Sequence, residues 1–187
     1  MKRTPLVLAA LLLTTTALTA QQSAQQMFDA AQKLKPARLT SVERIAPASE
    51  SGTPFVVKGV VLDSSGKPVP AAEVFAYHTD RTGLYAAPGA ADPWRLKGWA
   101  MTDAQGRFEL RTIRPGPYPN ANIPAHVHVH VTASCCGRQE REMVFDDDAL
   151  VNTAFRDQHG PESMFLYGRP IARADGSQEV SYTIRLR

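Results

Sequence analysis

Residues 126–131 read His-Val-His-Val-His-Val, and this run restricts the fold more than any other stretch of the chain. Strict alternation has the period of a strand, not of a helix. As a strand, the run sends Val127, Val129 and Val131 to one face and His126, His128 and His130 to the other. The valine face has to be covered by a second layer. Three imidazoles on the opposite face are costly to bury without partners, so something is expected to sit in front of them.

The rest of the chain agrees with a layered β structure. "FVVKGVVLD" reads as a strand, "SSGKPVP" as a turn and "AAEVFAYH" as the next strand. "GWAMT", "DAQG" and "RFELRTI" read as a hairpin with Gly106 at the positive-φ position. "REMVF" and the C-terminal "EVSYTIRLR", with Val180, Tyr182, Ile184 and Leu186 alternating, complete a set of short strands. The spacing predicts an all-β, immunoglobulin-like or transthyretin-like β-sandwich over 54–187. Residues 21–53 are expected to be a short N-terminal helical arm over 21–35, ended by Pro36, followed by a polar linker. The opening "MKRTPLVLAALLLTTTALTA" has a basic start, a short apolar run and small residues. It reads as a signal peptide over 1–20 with cleavage after Ala20, and hence as export to the periplasm or outside.

Charge narrows the partners. Formal net charge is +3, and loss of Lys2 and Arg3 with the leader takes it to +1. That value argues against nucleic acid, which needs a basic face. No run after the leader is long enough to span a bilayer, so no membrane is expected after cleavage. "DDD" at 146–148 reads as a solvated loop. The adjacent Cys135 and Cys136 leave open a vicinal disulfide, an intermolecular bond or two thiols.

The candidates for chemistry lie near the histidine run. "DRTGLYAAPG" places Tyr85 in a Gly/Pro-bounded loop, and "RPGPYP" places Tyr118 in a turn stiffened by Pro115, Pro117 and Pro119. Rigid loops preset the side chains they carry. Two phenols and two imidazoles suit a hard trivalent cation, because tyrosinate is a hard anionic oxygen donor that matches Fe(III) better than Zn(II) or Cu(I). The spacing alone leaves other readings open. H-x-H on a strand also occurs in zinc and copper sites, and exposed histidines need no metal. His130 reads as a neighbour of such a site or as solvent-exposed rather than as a ligand, and His78 as a packed or hydrogen-bonded residue at its edge. Trp94 and Trp99 read as core or pocket wall, and Asp80 and Asp103 as turn formers.

The ordered motifs "GVVLDSSGKPVPAAEVFAYHTDRTGLY", "TDAQGRFELRTIRPGPYP" and "PAHVHV" resemble the intradiol ring-cleavage dioxygenases, the protocatechuate 3,4-dioxygenase and catechol 1,2-dioxygenase family, over about residues 55–145. The resemblance implies a mononuclear non-haem Fe(III) held by Tyr85, Tyr118, His126 and His128, with Tyr118 and His128 axial and Tyr85 and His126 equatorial. It implies a catechol-type substrate that binds through both oxygens, Tyr118 leaving the metal with a proton, attack of O2 on the ring, and a muconate-type diacid as product. Those four residues are then both the metal ligands and the catalytic set.

Two positions depart from the family pattern. Ile123 stands where an arginine is common, three residues before the first histidine, and Glu142 where a glutamine is usual. Arg111, Arg114 and Arg141 are the candidates to replace the missing guanidinium. The segment from Tyr118 to His126 is also short, which implies a small, open pocket wall. The helical dimerisation region of the cytoplasmic catechol enzymes has no counterpart beyond 21–35. The sequence does not fix the oligomeric state, and a homodimer is one option. Two rival readings stand beside the enzyme: a non-catalytic sandwich binding module, and a periplasmic zinc or copper binder using His126, His128 and His130.

Overall fold

The computed structural model describes residues 25–87, 90, 92–160 and 163–187. The expected signal peptide lies outside the described residues. The chain divides into two units, 1–35 and 36–187. In the first, residues 25–32 form helix α1, inside the expected 21–35.

The second unit is a β-sandwich. Its strands are β1 (Val42–Arg44), β2 (Pro54–Leu62), β3 (Glu73–His78), β4 (Leu96–Met101), β5 (Arg107–Ile113), β6 (His126–Ala133), β7 (Gly137–Phe145), β8 (Phe165–Gly168), β9 (Ile171–Ala172) and β10 (Gln178–Arg185). Helix α2, Thr153–His159, lies between β7 and β8, with Asn152 Oδ1 accepting from the Phe155 N–H as its N-cap. One sheet runs β1-β5-β2-β10-β9 and the other β4-β3-β6-β7-β8.

Period-two alternation explains how the sheets meet. Val57, Leu110, Val180 and Ile184 from the first sheet join Val74, Val127, Val129, Val131 and Phe145 from the second in one buried core. Phe55 and Phe145 contact edge to face across it, ring centroids 5.2 Å apart. The valines of β6 therefore point inward, and its histidines point out of the sandwich.

Three expectations are corrected. The segment read as a linker carries β1, which pairs in parallel with β5 (Val42 opposite Glu109), while Ile45 and Ala46 are buried in the core. The 102–107 region is not a ladder hairpin. Its turn closes, with the Asp103 N–H donating to Arg107 O, but β4 pairs with β3 and β5 with β2, in different sheets. The Val61 N–H donates to Gly106 O at 2.8 Å, so β2 captures the turn and steers the chain across the sandwich. Finally, the aspartates at 146–148 are not a free loop. Asp147 takes a bidentate pair from Arg114 at 2.7 Å, Asp146 pairs with Arg156 at 2.5 Å, and Asp148 accepts from the Ala125 N–H at 2.9 Å. The last bond fixes the point at which β6 begins. Cys135 and Cys136, in the turn from β6 to β7, form a vicinal disulfide.

Candidate metal centre

The outer face of the second sheet is roofed by two loops. The first leaves β3 at Thr79 and carries Tyr85. Asp80 shapes it: its carboxylate accepts from the Thr82 and Leu84 N–H groups at 2.8 and 3.2 Å. The second leaves β5 and carries Tyr118. The loops are stitched together where the Gly116 N–H donates to Asp80 O and the Thr79 hydroxyl to Gly116 O. Glycine is required on both sides of this seam. A Cβ on Gly83, at φ +83°, meets Pro117 O at 2.0 Å, and one on Gly116 meets Arg81 O at 2.5 Å. Both distances are far inside van der Waals contact.

This close approach brings the phenols together. The Tyr85 and Tyr118 hydroxyls are hydrogen-bonded to each other. Tyr118 Oη lies 3.2 Å from His126 Nε2 and 3.5 Å from His128 Nε2, and Tyr85 Oη lies 2.8 Å from His128 Nε2. The two Nε2 atoms are 3.0 Å apart. All four residues singled out in the sequence thus converge on one point. His126 Nδ1–H donates to Pro124 O at 2.7 Å, which leaves its Nε2 a bare lone pair aimed at the centre. His128 is set by Tyr77, whose ring stacks on it at 4.5 Å and 9°, with Trp94 stacked on Tyr77 in turn at 3.9 Å.

Burial disfavours the charged forms of His128, Tyr85 and Tyr118. It lowers His128 to about 3, helped by neighbouring imidazoles. Burial raises the Tyr118 phenol, with the Tyr85 hydrogen bond opposing, and raises Tyr85 far above its ordinary value, with the Tyr118 hydrogen bond adding to it. Two phenol oxygens and two imidazole nitrogens turned toward each other are a donor set that fits a cation, and a cation held there would displace the phenol protons.

The other candidates fall as expected or outside the cluster. His130 is buried near Phe75 and Tyr77, its Nε2 3.7 Å from Glu140 Oε1. His78 points into the core, donating from Nδ1 to Thr79 O and accepting at Nε2 from the Thr112 hydroxyl. Trp94 and Trp99 are walls of the aromatic stack, Trp99 lying 4.8 Å from Phe75. None of the arginines considered as replacements faces the site. Arg111 is ion-paired with Glu109 on the first sheet, Arg114 is held by Asp147, and Arg141 lies on the opposite side of β7 from Glu142. Two residues of the site escaped the sequence reading in this role. Tyr77 was signalled only by its place opposite His128 in the β3–β6 register. Glu142, noted as a departure, brings its carboxylate into the cluster, within 4.8 Å of ring nitrogens of both His126 and His128.

The geometry meets the comparisons here. A family model described as dioxygenase matches residues 32–187. The chain belongs to the intradiol ring-cleavage dioxygenase family. It is 38% identical over 114 residues to the protocatechuate 3,4-dioxygenase beta chain of Burkholderia cepacia, a match covering 54% of this chain and 48% of that one. It is 29% identical over 126 residues to catechol 1,2-dioxygenase 1 of Acinetobacter lwoffii, covering 57% and 40%. The match thus spans less than half the length of these curated relatives. Among solved structures, the dioxygenase domain of a carbohydrate-binding fusion protein from Streptomyces sp. SirexAA-E superposes with a TM-score of 0.59 at 24% identity, over 81% of this chain and 90% of that one. The 3-chlorocatechol 1,2-dioxygenase of Rhodococcus opacus 1CP gives 0.62 at 24%, over 80% and 66%. These two likenesses speak for the fold. Among the described residues no helix is long and apolar enough to cross a membrane.

Proposed function

We propose that this dioxygenase-family chain is an exported Fe(III) enzyme that opens the ring of a catechol-type aromatic with O2, giving a muconate-type dicarboxylate. The observation that carries the proposal is the convergence of Tyr85, Tyr118, His126 and His128, two phenol oxygens and two imidazole nitrogens, on one point. These four residues would hold the iron. When bound, ferric iron supplies Lewis acidity and makes a chelated catecholate electron-rich toward O2.

The chain's own groups supply the rest. With iron bound, Tyr118 would be held as a phenolate, and its Oη, on a loop of its own, would be the atom that accepts a substrate proton. The Pro124 carbonyl and the Tyr77 ring hold His126 and His128 in orientation. The stack of Tyr77 and Trp94 gives an apolar wall beside the centre. Export is inferred from the basic, apolar and small-residue order of 1–20.

The test is oxygen consumption by ferric-loaded protein with catechol, with the product examined for a muconate-type diacid. The expected result is coupled uptake of O2 and catechol, lost in His126→Ala. Unchanged catechol after prolonged exposure of iron-loaded protein to air overturns the enzymatic reading and favours a binding module. A specific observation keeps a second reading in play: His126, His128 and Glu142 form a two-imidazole, one-carboxylate set that suits a divalent cation without either tyrosine. Zinc or cobalt uptake that survives loss of both phenols is its signature.

A further inference from the structure

Among the described residues, the carboxyl group that enters this cluster is that of Glu142. Its side chain is only 15% exposed, and it stands directly opposite His128 in the β6–β7 ladder, Oε1 3.6 Å from His128 Nδ1. β8 holds it there, because the Glu142 N–H donates to Met164 O at 2.9 Å. No positive side chain answers it from the Tyr118 loop, where Ile123 is apolar and 40% exposed. Arg138, on the same face of β7, acts on His130 instead.

We propose that Glu142 sets the charge selectivity of the site, admitting catechols whose ring substituents are neutral or cationic and rejecting those that carry a carboxylate. The inference rests on the catechol-binding reading above. Its physical basis is simple. A second carboxylate brought into a water-poor site beside a fixed one is repelled far more strongly than in bulk water. Among the described residues, Arg111 and Arg114 are engaged by Glu109 and Asp147, and Arg141 lies on the other side of β7, so none of the three faces the site to compensate a substituent carboxylate. An ammonium substituent meets the opposite situation, with a carboxylate to pair with and the Tyr77 and Trp94 rings to lie against.

The experiment is a binding titration, not an activity assay. Ferric-loaded wild-type protein, Glu142→Gln, Glu140→Gln and Ile123→Arg are each titrated anaerobically with catechol, 3,4-dihydroxybenzoate and 4-(2-aminoethyl)catechol, following the visible charge-transfer band. Wild type is expected to bind catechol and the amine at least ~10-fold more tightly than the carboxylate. Glu142→Gln and Ile123→Arg are each expected to narrow that ratio several-fold, while Glu140→Gln, the more exposed neighbour, leaves it unchanged. A ratio that is the same in wild type, Glu142→Gln and Ile123→Arg overturns the proposal and leaves the iron site standing. Absence of stoichiometric iron and of the band in wild type overturns the iron reading itself, and the selectivity with it.

Discussion

The two sheets present very different outer faces. On the first, outward positions carry charges paired across the surface: Lys58 with Glu179 at 2.9 Å, Arg173 with Glu179 at 2.5 Å, Arg111 with Glu109 at 2.7 Å. Such exposed pairs contribute little. On the second, the outward positions of β3, β4 and β6 carry Phe75, Tyr77, Trp99, His126, His128 and His130, most of them buried although they point away from the core. Both faces obey the same inward alternation. What separates them is the roof. The second face lies under the pair of loops locked by Gly83 and Gly116, and there His128, His130, Tyr85 and Tyr118 lose water.

The comparison breaks most sharply at the seam. Gly83→Val forces a side chain into Pro117 O at a left-handed φ, so it should separate the loops. We expect iron content to collapse, with a stability loss of roughly 1–3 kcal/mol in urea unfolding. Retained iron would mean that the loops do not assemble the site.

Tyr118→Phe tests the site without touching the seam. Iron affinity is expected to fall at least ~10-fold and the visible band to shift, with the urea midpoint nearly unchanged. Metal equilibrium dialysis and unfolding on the same sample separate the two effects.

The third probe is acid, acting through buried imidazole. Burial holds His78 at about 4 in the folded protein, against about 6.5 when unfolded. Below the unfolded value the unfolded chain binds the proton and the native state does not. The share of stability due to His78 is therefore full above pH ~6.5 and falls toward pH ~4, by at most about 1.4 kcal/mol per pH unit, with His128 and His130 adding to the fall in the same range. His78→Gln should flatten that slope in metal-free protein. An unchanged slope would remove His78 as its source.

The smallest effect belongs to the other face. Lys58→Ala loses one exposed pair, with an expected change within about 0.5 kcal/mol and no change in iron content.

The legibility of these features in the sequence follows the same division. The alternation of 126–131 revealed both the strand and the direction of its histidines, because period two survives wherever one face is buried. The two tyrosines were legible from rigid turn chemistry. β1 was not, since an edge strand of three residues is held by backbone bonds to β5 and carries no apolar pattern of its own. The crossing at Asp103–Gly106 was also hidden, because a local turn does not say which sheet its second strand will join. The run at 146–148 looked like a solvated loop because what holds it is ion pairs of Asp146 and Asp147 with arginines elsewhere in the chain. Tyr77 and the pairing of Glu142 with His128 needed the strand register, which the three-dimensional pairing supplies.

The most direct test of the central claim is the visible absorption spectrum of the purified protein after ferric reconstitution, with iron counted on the same sample. Tyrosinate ligation of Fe(III) gives a broad charge-transfer band, so the expected result is a reddish protein with stoichiometric iron whose band moves when catechol is added. A colourless protein, or one whose iron gives no such band, would contradict ligation by Tyr85 and Tyr118.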